Sequence, residues 1–96
     1  MIKEYSNEKF DEIKDLTIVD FYADWCGPCK MLSKVLGTLE DINIIKINTD
    51  EEEDLAKEYK VMTLPTILFI KNGEILERLV GFQTKEELEA LINELK

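Results

Sequence analysis

The sequence predicts one α/β domain over residues 1–96, in which a central mixed β-sheet lies between two layers of helices. Short β-branched and aromatic runs alternate with segments that repeat apolar residues at helical spacing. This pattern is typical of parallel strands joined by right-handed helical crossovers. Near the C-terminus two strands follow each other directly, so an antiparallel hairpin adds an edge to the sheet. The predicted order of elements is β-α-β-α-β-α-β-β-α.

The first three elements precede the cysteines. Residues 2–5 predict a short strand, and residues 7–14 predict a short helix in which Phe10 and Ile13 are three positions apart. Residues 17–22 are Thr-Ile-Val-Asp-Phe-Tyr, and a run so rich in β-branched and aromatic side chains is typical of a buried strand. We therefore expect this strand to lie inside the sheet.

A second helix follows the cysteines and leads to a second buried strand over residues 42–47. The helix is predicted by a stripe of apolar residues at the spacing of one helical face: Leu32, Val35, Leu36 and Leu39.

A third helix of modest length is predicted from Leu55, Ala56 and Tyr59. It follows an acidic run at residues 50–54, and carboxylates are favourable near the positive end of a helix macrodipole. We interpret this run as the solvated start of the helix.

The last elements are a hairpin and a helix. Strands over residues 66–70 and 74–80 flank Lys71-Asn72-Gly73, which has the composition of a tight turn. Thr84 and Glu87 have the spacing of a capping box at the start of the final helix. Its predicted apolar stripe comprises Leu88, Leu91, Ile92 and Leu95.

Composition excludes several classes of function. The 96 residues carry 12 basic and 21 acidic side chains, a net charge of −9, so we expect no binding to nucleic acid. The longest uninterrupted apolar run is residues 67–70, so we expect no membrane span. The N-terminal residues lack the apolar stretch of a secretory signal, which predicts a cytoplasmic protein, and we expect it to be a monomer. Histidine is absent, which removes the commonest general base and the commonest metal ligand.

Chemistry is indicated by the two cysteines, which lie in Trp25-Cys26-Gly27-Pro28-Cys29-Lys30 between a buried strand and a helix. A spacing of three residues places the sulfurs one helical turn apart, close enough to form a disulfide. At the helix start, unpaired N–H groups and the positive end of the dipole favour the thiolate of Cys26. Because the thiolate is the nucleophile in disulfide exchange, Cys26 is the predicted attacking group.

Cys29, one turn further along, is the predicted resolving group for a mixed disulfide. Gly27 and Pro28 restrict the turn, and proline is tolerated there because the first helical turn has no N–H bond to lose.

Other interpretations of the cysteine pair remain open at this point. Two thiolates without a histidine are too few ligands for zinc, so a metal site needs carboxylates or a second chain, as in a dimer bridged by zinc or an iron–sulfur cluster. A static disulfide that closes so small a loop adds little stability. The cysteines can also be inert core residues, and the domain can be a redox-silent binding or assembly module.

Residues 19–30 resemble the active-site signature of the thioredoxin family, and four further segments continue the similarity along the chain. These are Lys46-Ile47-Asn48-Thr49-Asp50 in the third strand, Leu64-Pro65-Thr66, Lys71-Asn72-Gly73-Glu74 in the hairpin, and Val80-Gly81-Phe82. The resemblance implies the thioredoxin fold and a protein-disulfide reductase that is recycled by a thioredoxin reductase, either NADPH-dependent or ferredoxin-linked. No nucleotide or flavin motif is present, so we expect no cofactor and no metal.

The sequence departs from the family pattern at a few positions, where tryptophan, a kinking proline and an arginine–glycine pair are common. These positions hold Tyr22, Lys34, Met62 and Thr63. The differences lie outside the dithiol and concern the choice of partner.

Asp20 places a carboxyl group among the apolar residues of a strand, where burial is expected to raise its pKa. The resemblance implies that it accepts a proton from Cys29, although a simple hydrogen bond to a nearby turn is an alternative. Lys46 alternates with Ile45 and Ile47, and similarity to the family implies that its ammonium points toward Asp20 and modulates it. An ordinary solvent-facing lysine is the other interpretation.

Substrate contacts are predicted around a second loop. The resemblance implies a cis Leu64–Pro65 bond against the disulfide, which leaves the backbone of Thr63 and Leu64 free to pair with an extended substrate strand. Trp25 is either a core aromatic or part of an exposed docking surface, and its loop position favours the surface. Gly81 ends a strand, which indicates a bulge or space for a partner's backbone; the resemblance favours the substrate groove.

Overall fold

A computed structural model describes all residues, 1–96, and contains five strands and three α-helices. The strands are β1 (Ile2–Glu4), β2 (Thr17–Tyr22), β3 (Asn43–Asn48), β4 (Thr66–Lys71) and β5 (Glu74–Val80). The helices are α1 (Gly27–Leu36), α2 (Glu53–Glu58) and α3 (Lys85–Leu95), and a single 3₁₀ turn covers Phe10–Glu12. All strands belong to one sheet in the order β1-β3-β2-β4-β5. The predicted central mixed sheet is therefore confirmed.

The direction of β4 differs from the alternation that the sequence suggests. Strands β1, β2 and β3 are parallel, but β4 pairs antiparallel with β2 as well as with β5. The reason is the length of α2, whose six residues cover about 9 Å, against about 20 Å for a six-residue strand. This helix is too short to carry the chain back across the sheet, so β4 begins at the end of the sheet where β3 leaves it.

The helix predicted over residues 7–14 is wrong. Only Phe10–Glu12 forms one 3₁₀ turn, Asn7 has a φ of 70°, and Ile13 is already extended. The side chains of Phe10 and Ile13 pack into the core beneath this segment, and the Ile13 carbonyl accepts a 2.7 Å hydrogen bond from the N–H of Gly73. Tertiary contacts thus fix an irregular path that a regular helix does not follow.

The core lies on both faces of the sheet, which confirms the three predicted layers. One face packs against α1 and α3, with a core of Leu16, Ile18, Leu32, Leu36, Ile42, Ile44, Ile67, Phe69, Leu88 and Ile92. The other face packs against α2 and the 3₁₀ turn, with a core of Phe10, Val19, Phe21, Ile45, Ile47, Leu68 and Ile70. None of the helices is both long and apolar enough to cross a bilayer.

The predicted hairpin and capping box are confirmed. Asn72 and Gly73 have φ values of 53° and 75°, as a two-residue turn between right-twisted strands requires. At the start of α3 the Thr84 hydroxyl accepts a hydrogen bond from the Glu87 N–H at 3.1 Å, and the Glu87 carboxylate accepts one from the Thr84 N–H at 2.9 Å.

The hairpin turn gives a test of the fold. A Cβ atom added to Gly73 lies 2.5 Å from the backbone oxygen of Asp11, and the positive φ also disfavours a side chain. We expect Gly73→Ala to lower the free energy of unfolding by at least about 2 kcal/mol, measured by urea denaturation. The matched control is Gly37→Ala, where φ is −65° and the added atom makes ordinary contacts. Equal effects of the two substitutions would contradict this account.

Candidate active site

The cysteine pair lies at the junction of β2 and α1. Cys26 is the N-cap of α1, and its Sγ accepts a hydrogen bond of 3.2 Å from the backbone N–H of Cys29. Gly27 and Pro28 form the first helical positions, where proline removes no helical bond. The sulfurs form a Cys26–Cys29 disulfide with a Cα–Cα distance of 5.2 Å, and both residues are buried. The first sulfur therefore sits where main-chain amides favour a negative charge.

A groove of about 460 Å³ opens beside Cys26. Trp25 forms one wall; it is 71 % exposed, and its indole N–H donates to the Asp50 carboxylate at 3.0 Å. The interpretation of Trp25 as a core aromatic is therefore wrong. The lining residues are Trp25, Cys26, Gly27, Pro28, Thr49, Ala56, Val61, Met62 and Leu64.

Sequence reasoning missed part of this groove. Thr49, Ala56 and Val61 carry no local signal because the fold brings them there from three separate segments. Met62 is different, since it is a large apolar residue that is 91 % exposed next to the Leu64–Pro65 loop. Its departure from the family pattern already indicates a part in the choice of partner, and its position in the groove agrees with that prediction.

The loop before β4 presents free backbone groups. The Leu64–Pro65 peptide bond is cis and Pro65 is buried. The N–H groups of Thr63 and Leu64 donate to no other group of the chain, whereas the Thr63 carbonyl accepts a hydrogen bond from the Thr66 hydroxyl at 2.6 Å. Two backbone donors at this loop therefore have no partner within the chain.

Gly81 lies beside this loop, and its N–H donates to the Pro65 carbonyl at 2.8 Å. It has a φ of +90°, and an added Cβ would meet no atom within 4 Å, so the space above it is open. The irregularity in the β4–β5 pairing lies between Phe69 and Ile70, so a bulge at Gly81 is wrong. Thr63, Pro65 and Gly81 do not line the groove itself.

Asp20 is fully buried on the sheet face that packs against α1. Neither of its carboxylate oxygens has a hydrogen-bond partner, so the alternative of a simple turn-binding aspartate is wrong. Burial raises the pKa of Asp20 from 3.8 to about 7, while the charge of Lys46 lowers it and that of Glu4 raises it. The carboxyl group therefore changes its protonation near neutral pH.

Lys46 does not form an ion pair with Asp20. The two residues are register partners on β3 and β2, but the Lys46 ammonium donates to the Ser33 hydroxyl at 2.7 Å. It also lies 4.6 Å from the centre of the Tyr22 ring. The ammonium of the half-buried Lys46 is thus held by Ser33 and the Tyr22 ring and makes no direct ion pair with Asp20. Its charge nevertheless lowers the pKa of Asp20.

The comparison with known proteins places this geometry in a family. A family model described as thioredoxin matches residues 1–94. The chain belongs to the thioredoxin family. It is 45 % identical over 83 residues to thioredoxin of Bacillus subtilis, covering 81 % of this chain and 80 % of that protein. It is 42 % identical over 99 residues to thioredoxin of Chlamydia pneumoniae, covering 97 % of each.

Solved structures agree with this assignment. The chain superimposes on a mutant thioredoxin from Halobacterium salinarum with a TM-score of 0.87 at 36 % identity, covering 97 % of this chain and 88 % of that one. The thioredoxin fold is therefore established. With the Cys26–Cys29 pair at disulfide distance, this thioredoxin-family protein is a thiol–disulfide oxidoreductase that reduces protein disulfides. Family membership implies disulfide-containing protein substrates and a thioredoxin reductase, and it supports this activity over the redox-silent module and the metal-bridged dimer.

The buried carboxyl group predicts a pH-dependent stability. A carboxyl group whose pKa is higher in the folded than in the unfolded chain binds its proton more tightly when folded. The stabilisation from this bound proton is complete at pH values below the pKa of the unfolded chain. It is lost as the pH rises through the pKa of the folded protein, which is about 7 for Asp20. Relative to Asp20→Asn, the oxidised wild type should lose about 4 kcal/mol of unfolding free energy between about pH 4 and about pH 8.

Urea denaturation of both proteins at several pH values measures this difference. Contributions of the other carboxylates cancel in the comparison. A difference between the two proteins that stays constant with pH would show that Asp20 does not titrate as described.

Proposed function

We propose that Cys26 is the nucleophile, Cys29 the resolving cysteine and Asp20 the proton acceptor in the reduction of protein disulfides. The observation that carries the proposal is the position of Cys26 at the N-cap of α1, where its sulfur accepts the Cys29 N–H. This environment supports a thiolate at Cys26 once the disulfide is reduced.

In the first step the Cys26 thiolate attacks one sulfur of the substrate disulfide. The substrate S–S bond breaks, one substrate sulfur leaves as a thiolate, and a mixed disulfide forms between Cys26 and the other. In the second step Cys29 passes its proton to the Asp20 carboxylate and attacks the Cys26 sulfur. The second substrate sulfur leaves as a thiolate, and a Cys26–Cys29 disulfide forms. The substrate has then gained two electrons, and the cysteine pair has lost two.

Burial of Asp20 suits it to this proton transfer. A carboxylate with an ordinary pKa is a weak base toward a thiol, because the pKa of the thiol is several units higher. The raised pKa of Asp20 reduces this difference between the two pKa values. Lys46 modulates Asp20 by its charge. The direct partner of the ammonium, however, is Ser33.

The substrate is proposed to bind as an extended strand. Its backbone pairs with the free N–H groups of Thr63 and Leu64 beside Pro65, and its side chains contact Trp25 and the open space above Gly81. Gly27 and Pro28 shape the turn that presents Cys26. The apolar character of the groove supports recognition by contact area more than by charge.

Recycling requires two electrons from a separate thioredoxin reductase, which is NADPH-dependent or ferredoxin-linked, because the proposed cycle ends at the oxidised pair. We further propose that the protein acts as a monomer in the cytoplasm. A reducing compartment keeps such a dithiol available for its substrates, which supports this location.

The mixed disulfide gives the direct test of the assigned order. Cys29→Ser should trap substrate proteins on Cys26, because the group that resolves the intermediate is gone. Non-reducing electrophoresis and mass spectrometry would detect the adducts. Cys26→Ser is the matched control and should trap none; trapping by that variant instead would reverse the assigned roles.

The ionisation of Cys26 has its own test. In the reduced protein, alkylation of Cys26 by iodoacetamide should show a midpoint below the value of free cysteine, about 8.5. The rate is followed by mass spectrometry across a pH series, with Cys26→Ser reporting the background from Cys29. A midpoint equal to that of free cysteine would remove the basis of the mechanism.

A further inference from the structure

A row of charged residues crosses three strands of the sheet beneath α1. Glu4 on β1 is the register partner of Lys46 on β3, and Lys46 is in turn the register partner of Asp20 on β2. Register partners on parallel strands point to the same face of the sheet. Lys46 therefore lies between two carboxyl groups, one exposed and one buried, and can interact with either.

The structure holds the Lys46 ammonium away from both carboxylates. It donates to the Ser33 hydroxyl at 2.7 Å and lies over the ring of Tyr22, 4.6 Å from the ring centre. The Tyr22 hydroxyl donates to the Glu4 carboxylate at 2.8 Å, which fixes the ring and occupies Glu4. Asp20 is left with no hydrogen-bond partner although a cation lies on the neighbouring strand.

Ser33 has a place in α1 that connects this row to the dithiol. It follows Cys29 by four residues, so the two side chains lie on the same face of the helix, one turn apart. This face also carries Leu32 and Leu36, which pack against the sheet around Asp20. Ser33 and Cys29 therefore lie on the helix face that packs toward the sheet.

We propose that Ser33 is a positioning residue for the resolving step: its hydroxyl holds the Lys46 ammonium off the Asp20 carboxyl group, so that Asp20 stays a base strong enough to accept the proton of Cys29. The role of Asp20 in this inference rests on the proposed function.

The surroundings of Asp20 leave few other groups to set its protonation. β1 contributes Glu4 and β3 contributes Lys46. Tyr22 lies on β2, the strand of Asp20 itself, two residues further along. β4 places the apolar Ile67 in register with Asp20, and α3 adds only apolar side chains to this face of the core. α1 contributes Ser33 and, when reduced, the thiol of Cys29. Lys46 is the one cation among these groups, so its position decides how strongly the carboxylate is stabilised.

Loss of the Ser33 hydroxyl frees the ammonium to approach the carboxylate. An ion pair favours the charged form, so the pKa of Asp20 falls by about one pH unit, and Asp20 becomes a weaker base. The Ser33→Ala variant should fold normally because alanine is the strongest helix former.

The first measurement follows the Asp20 carboxyl carbon by ¹³C NMR across a pH series in the oxidised protein. We expect Ser33→Ala to lower the midpoint of the Asp20 titration by about one pH unit. Ser33→Thr keeps a hydroxyl and should show the midpoint of the wild type. The control is Thr38→Ala. Thr38 lies just beyond the end of α1, and the substitution removes its exposed hydroxyl, which donates to the Val35 carbonyl. An unchanged or raised midpoint in Ser33→Ala overturns the proposal.

A double-mutant cycle tests whether Ser33 acts through Lys46. Lys46→Met should raise the Asp20 midpoint, since its charge lowers that pKa in the wild type. Adding Ser33→Ala to Lys46→Met should then change nothing. A shift that persists without the lysine shows a direct effect of Ser33 on Asp20 and overturns the positioning role.

The second measurement follows the reaction of the reduced protein with 5,5′-dithiobis(2-nitrobenzoate) by stopped-flow absorbance. The first release of thionitrobenzoate reports the attack by Cys26, and the second reports the attack by Cys29 on the mixed disulfide. In Ser33→Ala the pH profile of the second phase should move down by about one pH unit, and its plateau should fall about threefold. The first phase should not change.

The two measurements separate this proposal from the proposed function. A shifted Asp20 titration with an unchanged second phase supports the placement of Lys46 by Ser33, but removes Asp20 from the resolving step. An unshifted titration overturns the positioning role of Ser33, whatever the kinetics show.

Discussion

The packing of α1 against the sheet is the contact on which the rest of the active site depends. Leu32 and Leu36 are fully buried among the apolar side chains of β2, β3 and β4, and they fix the rotation of the helix about its axis. That rotation places Cys29 and Ser33 over the sheet. Because β2 ends only a few residues before α1 begins, the same rotation places the Cys26 sulfur at the N–H groups of the first helical turn. The hydrophobic core and the dithiol chemistry are thus set by the same helix face.

The electrostatic design of the site is unusual in what it leaves unpaired. The chain has 21 acidic residues, yet the one that is buried has no hydrogen bond, while the nearest cation binds a neutral hydroxyl. Burying an unpaired carboxyl group costs stability, and such groups persist mainly where function requires a shifted pKa. In this protein the low polarity around Asp20 and the tethered position of Lys46 act together to keep the carboxyl group near its point of half-protonation at neutral pH.

Much of the fold and the centre of the site could be predicted from sequence, because their signals are local. The period of apolar residues, the Asn72-Gly73 turn, the Thr84 capping box and the position of the cysteines at a helix start each depend on neighbours within about one turn. The features that the sequence did not predict depend on contacts between residues that are distant in the chain. The segment around Phe10 has the composition of a helix, but its path is set by the core and by the hairpin. The Lys46–Ser33 bond joins residues 13 positions apart on different elements, and the groove collects side chains from several loops.

The tight contact between the hairpin turn and the segment near Asp11 has a practical consequence for protein engineering. Hairpin tips are usually the first choice for grafting a foreign peptide, since exposed turns tolerate insertion. In this chain the tip is docked: both Asn72 and Gly73 donate backbone hydrogen bonds to the preceding connection, to Lys14 and Ile13. An inserted epitope or binding loop would therefore break the hydrogen bonds between the hairpin turn and the connection that precedes β2, and both segments would lose their anchor. The exposed connection after α1, around Thr38 and Glu40, is the better acceptor site for such a graft.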